Sequence, residues 1–423
     1  MKAPEHSDPH DPIHSCTLHS RRAALLVAVL LVISLSVVTA APVTNVASSE
    51  IIIGMSTALS GPAANLGLDM RLGVLACLER ANRAGGVQGR RFRLIVLDDG
   101  YEPARSAPNM RQLLEKENVL AVIGNVGTPT GVAALPIATE LKTLFFAPFT
   151  GAGAFRKNPP DRYVINYRAS YAEETGAIID ALIDKGGLKM EDIAIFTQRD
   201  AYGDAGYAGS IAALKRHGLK DEKEVLHVRY ERNTRAVEDA LATLLYAAHE
   251  PRAVVMVGAY APCAKLIKLA HGAGLNAVFH NVSFVGPVSL AVELGGLPAH
   301  VVVTQVVPHP KIEDLSITRE FQADMKVIEP SLTPGFGALE GYIAARILFA
   351  AFEKISGPPT REGIVDALEG LGEFDIGLGE KLKLGPKDHQ ASHRVWLTAL
   401  RDGAFVPFPW ADIASLLEKE SSP

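Results

Sequence analysis

From Glu50 onward, short runs of β-branched and aliphatic residues alternate with stretches in which apolar residues recur every three or four positions. The first pattern is that of a buried strand and the second that of a helix lying on a sheet, so their alternation predicts parallel sheets covered by helices. Strands are expected at Ile51–Ile53, Phe92–Leu97, Leu120–Ile123 and Leu144–Phe146. Helices are expected at Leu68–Ala84, through Met110 and Leu114, and at Pro129–Leu141. These elements make one doubly wound lobe.

The alternation starts again at Tyr163. Helices are predicted at Ala172–Ile183, Gly206–His217, Val237–Ala248 and Pro262–Ala273. Strands are predicted at Ile193–Thr197, Val225–Val228, Ala253–Val257, Val278–His280 and Val301–Gln305. After Pro308-His309-Pro310, which reads as a rigid crossover, come helices at Thr318–Ile328, Gly337–Lys354 and Arg361–Glu369, then strands at Lys381–Leu384 and Arg394–Leu400. A tail of this kind after two complete units predicts a chain that returns to the first lobe and crosses again, and several crossings make a hinge. The expected fold is therefore α/β, two doubly wound lobes joined by a multi-stranded hinge. Residues 50–166 and 308–390 are assigned to lobe 1, 167–307 and 391–410 to lobe 2, and 411–423 to a C-terminal tail.

The first fifty residues are of another kind. Arg21-Arg22 precede an apolar run of 16 residues, Ala23–Val38, and Val38-Thr39-Ala40 supplies the small residues of a signal-peptidase site. A membrane-spanning helix needs about twenty residues, so residues 1–40 are expected to be a cleaved signal peptide and the mature protein periplasmic. Ser20-Arg21-Arg22 leaves a twin-arginine route open. The cluster of His6, His10, His14 and His19, with Cys16 among them, falls upstream of that cleavage, and Cys77 and Cys263 are expected as buried free thiols in separate lobes.

Composition narrows the function. The chain has 423 residues, 48% hydrophobic and 21% charged, with a formal net charge of -5, which suits two globular cores and offers no basic track for nucleic acid. No Walker loop, nucleophile-elbow serine or nucleophile–base pair is present, so no enzyme is expected. No cofactor is implied. His389 and His393 have a zinc-like i, i+4 spacing but lie in a loop-to-strand segment, where that spacing does not put both rings on one face. No metal is expected there.

Chemistry is concentrated where strands end. In open parallel sheets the ligand lies at the carboxyl ends of strands, against the amides of the following helices. Three such exits are small and hydroxylic: Ser56-Thr57-Ala58-Leu59-Ser60-Gly61-Pro62, Gly124-Asn125-Val126-Gly127-Thr128-Pro129, and Ala147-Pro148-Phe149-Thr150-Gly151. Thr128 and Thr150 suit a carboxylate. The alternative is that Thr128 serves only as the N-cap of its own helix.

Several of these segments resemble one family. Ile53-Gly54 through Leu59-Ser60-Gly61-Pro62, Ala84-Gly85-Gly86-Val87-Gln88-Gly89, Asp98-Asp99-Gly100-Tyr101-Glu102-Pro103, Ile123-Gly124, Asp200-Ala201-Tyr202-Gly203 and Leu339-Glu340-Gly341-Tyr342 are similar, in this order, to the branched-chain amino acid binding group of type I periplasmic binding proteins. The resemblance runs over roughly residues 50–400. It implies an extracytoplasmic solute receptor whose partners are a small-molecule ligand, held between the lobes, and the permease subunits of an ABC importer. A sensing role with a separate membrane partner is the alternative.

By this resemblance the ligand-binding residues are Ser60, Thr128, Phe149, Thr150, Gly151, Tyr202, Tyr260, Ser283 and Phe284. Tyr202 and Tyr260 would close over the ligand as a facing pair. Two departures matter. The first-lobe aromatic falls at Leu66, and the acid that pairs with an amino-acid ammonium falls at Ser283, with Glu293 as a fallback. A buried ammonium without a carboxylate is costly, so the expected ligand is a small organic carboxylate with an apolar or aromatic body rather than a branched-chain amino acid.

Overall fold

The computed structural model describes residues 50–333 and 335–417; the expected signal peptide, Cys16 and the N-terminal histidines lie outside these, as does the tail beyond residue 417. In chain order the elements begin with β1 (Ile51–Thr57), α1 (Ala64–Arg83), β2 (Phe92–Asp98), α2 (Pro103–Arg111), β3 (Ala121–Ile123), α3 (Thr128–Glu140), β4 (Leu144–Phe146) and β5 (Val164–Ile165). There follow α4 (Tyr171–Asp180), β6 (Ile193–Gln198), α5 (Ala201–Arg216), β7 (Leu226–Tyr230), α6 (Glu238–Leu245), β8 (Ala253–Val257), α7 (Tyr260–Gly272), β9 (Val278–Asn281), α8 (Pro287–Leu294) and β10 (Val301–Gln305). The chain ends with α9 (Ser316–Ile328), α10 (Phe336–Lys354), α11 (Arg361–Glu369), β11 (Gly372–Phe374), β12 (Leu382–Leu384), β13 (Trp396–Arg401) and β14 (Ala404–Pro407).

Two sheets result. The first has the order β2-β1-β3-β4-β5, and the second β14-β13-β10-β9-β8-β6-β7. The first is parallel throughout, whereas the second ends in an antiparallel edge, β10-β13-β14. Strand order reverses between β1 and β3 in one lobe and between β6 and β8 in the other, and these switch points open crevices at the carboxyl ends of the strands. The two crevices face each other across the gap between the sheets. Three crossing segments are tied together: Asn166 N–H donates to His389 O (2.7 Å), Ala391 N–H to Asn166 O (3.0 Å), and the Tyr167 hydroxyl to Val306 O (3.0 Å).

Several elements differ from the periodicity. α5 starts at Ala201, five residues before the predicted Gly206, because the Asp200 carboxylate accepts from Tyr202 N–H (3.0 Å) and caps the helix there. α1 likewise begins at Ala64 rather than Leu68. α8 and β14 carry too short an apolar pattern to be separated from loop, and were not expected. α1 and α10 meet backbone to backbone: a Cβ on Gly73 would lie 1.7 Å from Ala338 O, and one on Gly341 2.2 Å from Met70 O. That approach sets Asp69 of α1 beside the first turn of α10. Cys77 and Cys263 are buried and free, one on α1 and one on α7. No described helix is long and apolar enough to cross a membrane.

Candidate functional site

The lobe 1 wall is built by two strand exits. After β3 the chain turns through Gly124 (φ 66°) and Gly127 (φ 104°), conformations that favour glycine. A Cβ on Gly127 would also strike the Tyr101 ring at 2.1 Å. Gly127 therefore takes the N-cap place, and Thr128 is the first residue inside α3, with no side-chain cap. The simple capping role for Thr128 is thus corrected. Its Oγ1 lies instead 2.6 Å from Thr150 Oγ1, at the exit of β4, and both hydroxyls are buried. The Tyr171 hydroxyl sits beside Thr150 without a well-formed hydrogen bond.

The lobe 2 wall is aromatic. Capping by Asp200 places Tyr202 in the first turn of α5, where its hydroxyl donates to Gly258 O (3.3 Å). Phe284, in the turn after β9, crosses the gap. Its ring centroid is 4.5 Å from that of Tyr202 and, on the lobe 1 side, 5.4 Å from Phe149 and 6.0 Å from Tyr101. Tyr202 also meets Tyr171 at 5.2 Å. The lobes are closed on each other: Gln198 Nε2 donates to Tyr101 Oη (3.1 Å), and at the rim Arg232 pairs with Glu102 (2.6 Å). Burial holds the phenols of Tyr101 and Tyr202 well above their ordinary range, so both stay neutral rings with a hydroxyl.

Among the sequence-derived candidates, Thr128, Phe149, Thr150, Gly151, Tyr202, Ser283 and Phe284 converge on this gap. Gly151 is required there, since a Cβ would lie 2.5 Å from Tyr171 N. Ser60 does not join them: it is exposed and bonded to Asp98 (2.6 Å), because the Ser60-Gly61 turn folds back on β2. Tyr260 opens α7 at the mouth of the gap, against Gly286 and Leu66, and makes no ring contact with Tyr202. The expected facing pair is therefore separated, one ring deep and one at the rim. Glu293 is engaged by Arg235 on the outer face, so it is no fallback partner. His389 and His393 turn to different acids, Glu369 (3.1 Å) and Glu173 (2.6 Å).

Sequence reading missed the charged centre of the gap. Arg168, on the segment that leaves β5 for α4, is 1% exposed, with its guanidinium 4.8 Å above the Phe149 ring and 5.9 Å from Tyr171. Its Nη2 donates to Ser283 Oγ, while Nε and Nη1 have no hydrogen-bond partner. Glu174 lies 3.5 Å and Glu340 3.7 Å from it. The wall at Ser283 is thus not without an acid. Glu174 stands behind it, but its carboxylate accepts from Ser283 N (2.8 Å), Ser283 Oγ (3.0 Å) and Thr304 Oγ1 (2.5 Å). The only sequence signals were an arginine directly after a strand at a lobe crossing, and a glutamate inside the Leu339-Glu340-Gly341-Tyr342 motif.

The sequence profile of the periplasmic binding protein family matches residues 50–404. The chain belongs to the periplasmic binding protein family. A possible leucine/isoleucine/valine-binding protein from Rhodopirellula baltica has 50% sequence identity to this chain, covering 87% of it and 98% of the relative, with a TM-score of 0.84. A substrate-binding periplasmic protein from Ralstonia solanacearum is 27% identical, with 82% and 97% covered and a TM-score of 0.76. An amino acid binding protein of Pseudomonas aeruginosa is 24% identical over 253 residues, 59% of this chain; the match spans 65% of that relative's length. In this periplasmic binding protein the two α/β lobes and hinge are those of the type I fold, and the family is one of binding proteins rather than catalysts.

Proposed function

We propose that the chain is the solute-binding component of an ABC importer, exported by its N-terminal segment, and that it hands a small organic carboxylate with an apolar or aromatic body to the permease subunits. The observation that carries this reading is the Thr128–Thr150 hydroxyl pair, 2.6 Å apart at the start of α3 and roofed by Phe284 and Tyr202 from the other lobe. Hydroxyls and helix-start amides suit an anion, and the unpartnered Nη1 of Arg168 adds a charged donor. The rings of Phe149, Phe284 and Tyr202 suit the body. Closure of two lobes on the solute makes a surface that differs from the empty one, which is what a permease would read.

A branched-chain amino acid fits less well, because Glu174 is saturated by Ser283 and Thr304 and faces Arg168, leaving no free acid beside the hydroxyls for an α-ammonium. Titration calorimetry of unfolded-and-refolded protein decides this: 3-phenylpropanoate or 4-methylpentanoate should bind in preference to leucine and valine. Tight leucine or valine binding would refute the carboxylate reading while leaving the importer role intact.

A further inference from the structure

A loop of lobe 2 grips a single carboxylate of lobe 1 across the mouth of the gap. Glu102 follows β2 and takes the N-cap place of α2 without bonding to that helix through its side chain. Both of its carboxylate oxygens are met from the other lobe. Arg232 Nη2 donates to Oε2 (2.6 Å) and Asn233 Nδ2 to Oε1 (2.6 Å), the same amide also reaching Gly100 O (3.2 Å). Arg105, the neighbouring cation of lobe 1, is bonded to Asp98 instead (2.8 Å). Among the described residues, every side-chain bond of Glu102 therefore crosses the gap.

The gripping loop is shaped within its own lobe. Between β7 and α6 the chain turns at Glu231–Thr234, where Thr234 N–H and Oγ1 both donate to Glu231 O (3.2 and 2.7 Å). Asn233 adopts φ 57° in this turn, a left-handed conformation that asparagine tolerates better than most residues. Arg232 is backed by Asp200 (3.4 Å), the carboxylate that also caps α5 at Tyr202 N–H (3.0 Å) and accepts from Gln198 Nε2 (2.7 Å). The loop is thus registered against the helix that carries Tyr202.

Exposure sets how these contacts respond to solvent. The Arg232 and Glu102 side chains are 23% and 39% exposed, so salt reaches the pair, whereas the Arg168–Glu340 approach (3.7 Å) is buried and screened little. A second contact across the mouth, Asn65 Nδ2 to Ser289 Oγ (3.0 Å), is neutral. A half-exposed ion pair within one lobe would contribute little to folding; one made only when the lobes meet enters the closed-to-open ratio directly.

We propose that Glu102, Arg232 and Asn233 form a salt-sensitive latch that holds the lobes shut, so that ionic strength tunes closure, and with it solute affinity, whatever the solute's chemistry. This rests on the reading that the lobes separate, and not on the carboxylate reading.

The test is single-molecule energy transfer in refolded, solute-free protein, between dyes on Lys116→Cys and Lys220→Cys, two exposed positions, one in each lobe; the native Cys77 and Cys263 are buried. Raising NaCl from about 20 mM to about 500 mM should lower the closed-to-open ratio of wild type by about 3-fold or more. Glu102→Gln should lower it by about 5-fold to 20-fold at low salt and remove most of its salt dependence, and Asn233→Ala should lower it by about 2-fold to 5-fold with the salt dependence kept. The latch is overturned if wild type and Glu102→Gln agree within about twofold at low salt, or if both respond to salt alike. A fall in the thermal midpoint of Glu102→Gln with an unchanged ratio also overturns it, and assigns Glu102 to the stability of its own lobe. If wild type and Phe284→Ala, which removes uncharged contacts across the gap, both hold one distance at every salt concentration, the reading that the lobes separate falls, a result distinct from the others.

Discussion

Phe284 offers a sharp test of whether the two lobes separate. Its ring is fully buried, yet its partners belong to different lobes: Tyr202 on one side, Tyr101 and Phe149 on the other. In an ordinary core, Phe→Ala costs about 3–5 kcal/mol of folding stability. Here the contacts with Tyr101 and Phe149 are made only while the gap is shut, the contact with Tyr202 stays within lobe 2, and each lobe keeps its own sheet and covering helices when the gap opens. Phe284→Ala should therefore weaken closure by the lobe 1 share of that amount, about half or roughly 1.5–2.5 kcal/mol, a factor of about 10 to 70 in the closed-to-open ratio, with a smaller effect on unfolding. Small-angle scattering of the empty protein should show a larger radius of gyration for the variant than for wild type, and thermal unfolding should move by only a few degrees. The reasoning is refuted if scattering is unchanged while the midpoint falls by about 4–7 °C, as a full core loss of about 3–5 kcal/mol requires at about 2.1 cal/mol/K per residue in a single core of this size, since the halves would then share one core.

Other consequences follow from the same geometry. Thr128→Val and Thr150→Val should each weaken carboxylate binding by about 10-fold to 100-fold, since each removes a hydroxyl at the anion position; calorimetry with 3-phenylpropanoate reads this. Arg168→Met leaves Glu174 and Glu340 buried without their counter-ion and should cost about 3–5 kcal/mol in urea unfolding. The Glu340 carboxyl is raised by burial from its ordinary 4.5 to about 7, so the folded state holds its proton more tightly than the unfolded chain, and its contribution is favourable at acid pH and lost as pH rises through that interval. Glu340→Gln should accordingly gain stability relative to wild type between pH ~5 and pH ~8; a difference that stays flat or runs the other way would show that Glu340 is ionised throughout. Gly73→Ala drives a methyl into the Ala338 carbonyl and should destabilise by at least the upper end of the ~1–3 kcal/mol typical of overpacking, measurable by denaturant midpoint.

Much of this architecture was legible along the chain because it depends on local rules. Strand periodicity placed Leu144–Phe146, Ala253–Val257 and Val301–Gln305 without error, and exits rich in glycine and threonine marked the lobe 1 wall, since free amides and hydroxyls at a strand end are local chemistry. The aromatic positions Phe149, Tyr202 and Phe284 were legible for the same reason, together with a family resemblance.

What the sequence did not contain was which exits face each other and how charge is shared across the gap. Ser60 and Tyr260 occupy equivalent-looking exits to Thr128 and Tyr202, yet a turn back onto β2 and a place at the rim take them out of the centre. Arg168, Glu174 and Glu340 come from positions up to 172 residues apart (340 minus 168), on a crossing segment and on two helices from both lobes, so no window of sequence shows them as neighbours. Their meaning as a site comes from burial, which turns ordinary surface charges into groups that need partners, and burial is a property of lobes folded and closed on each other.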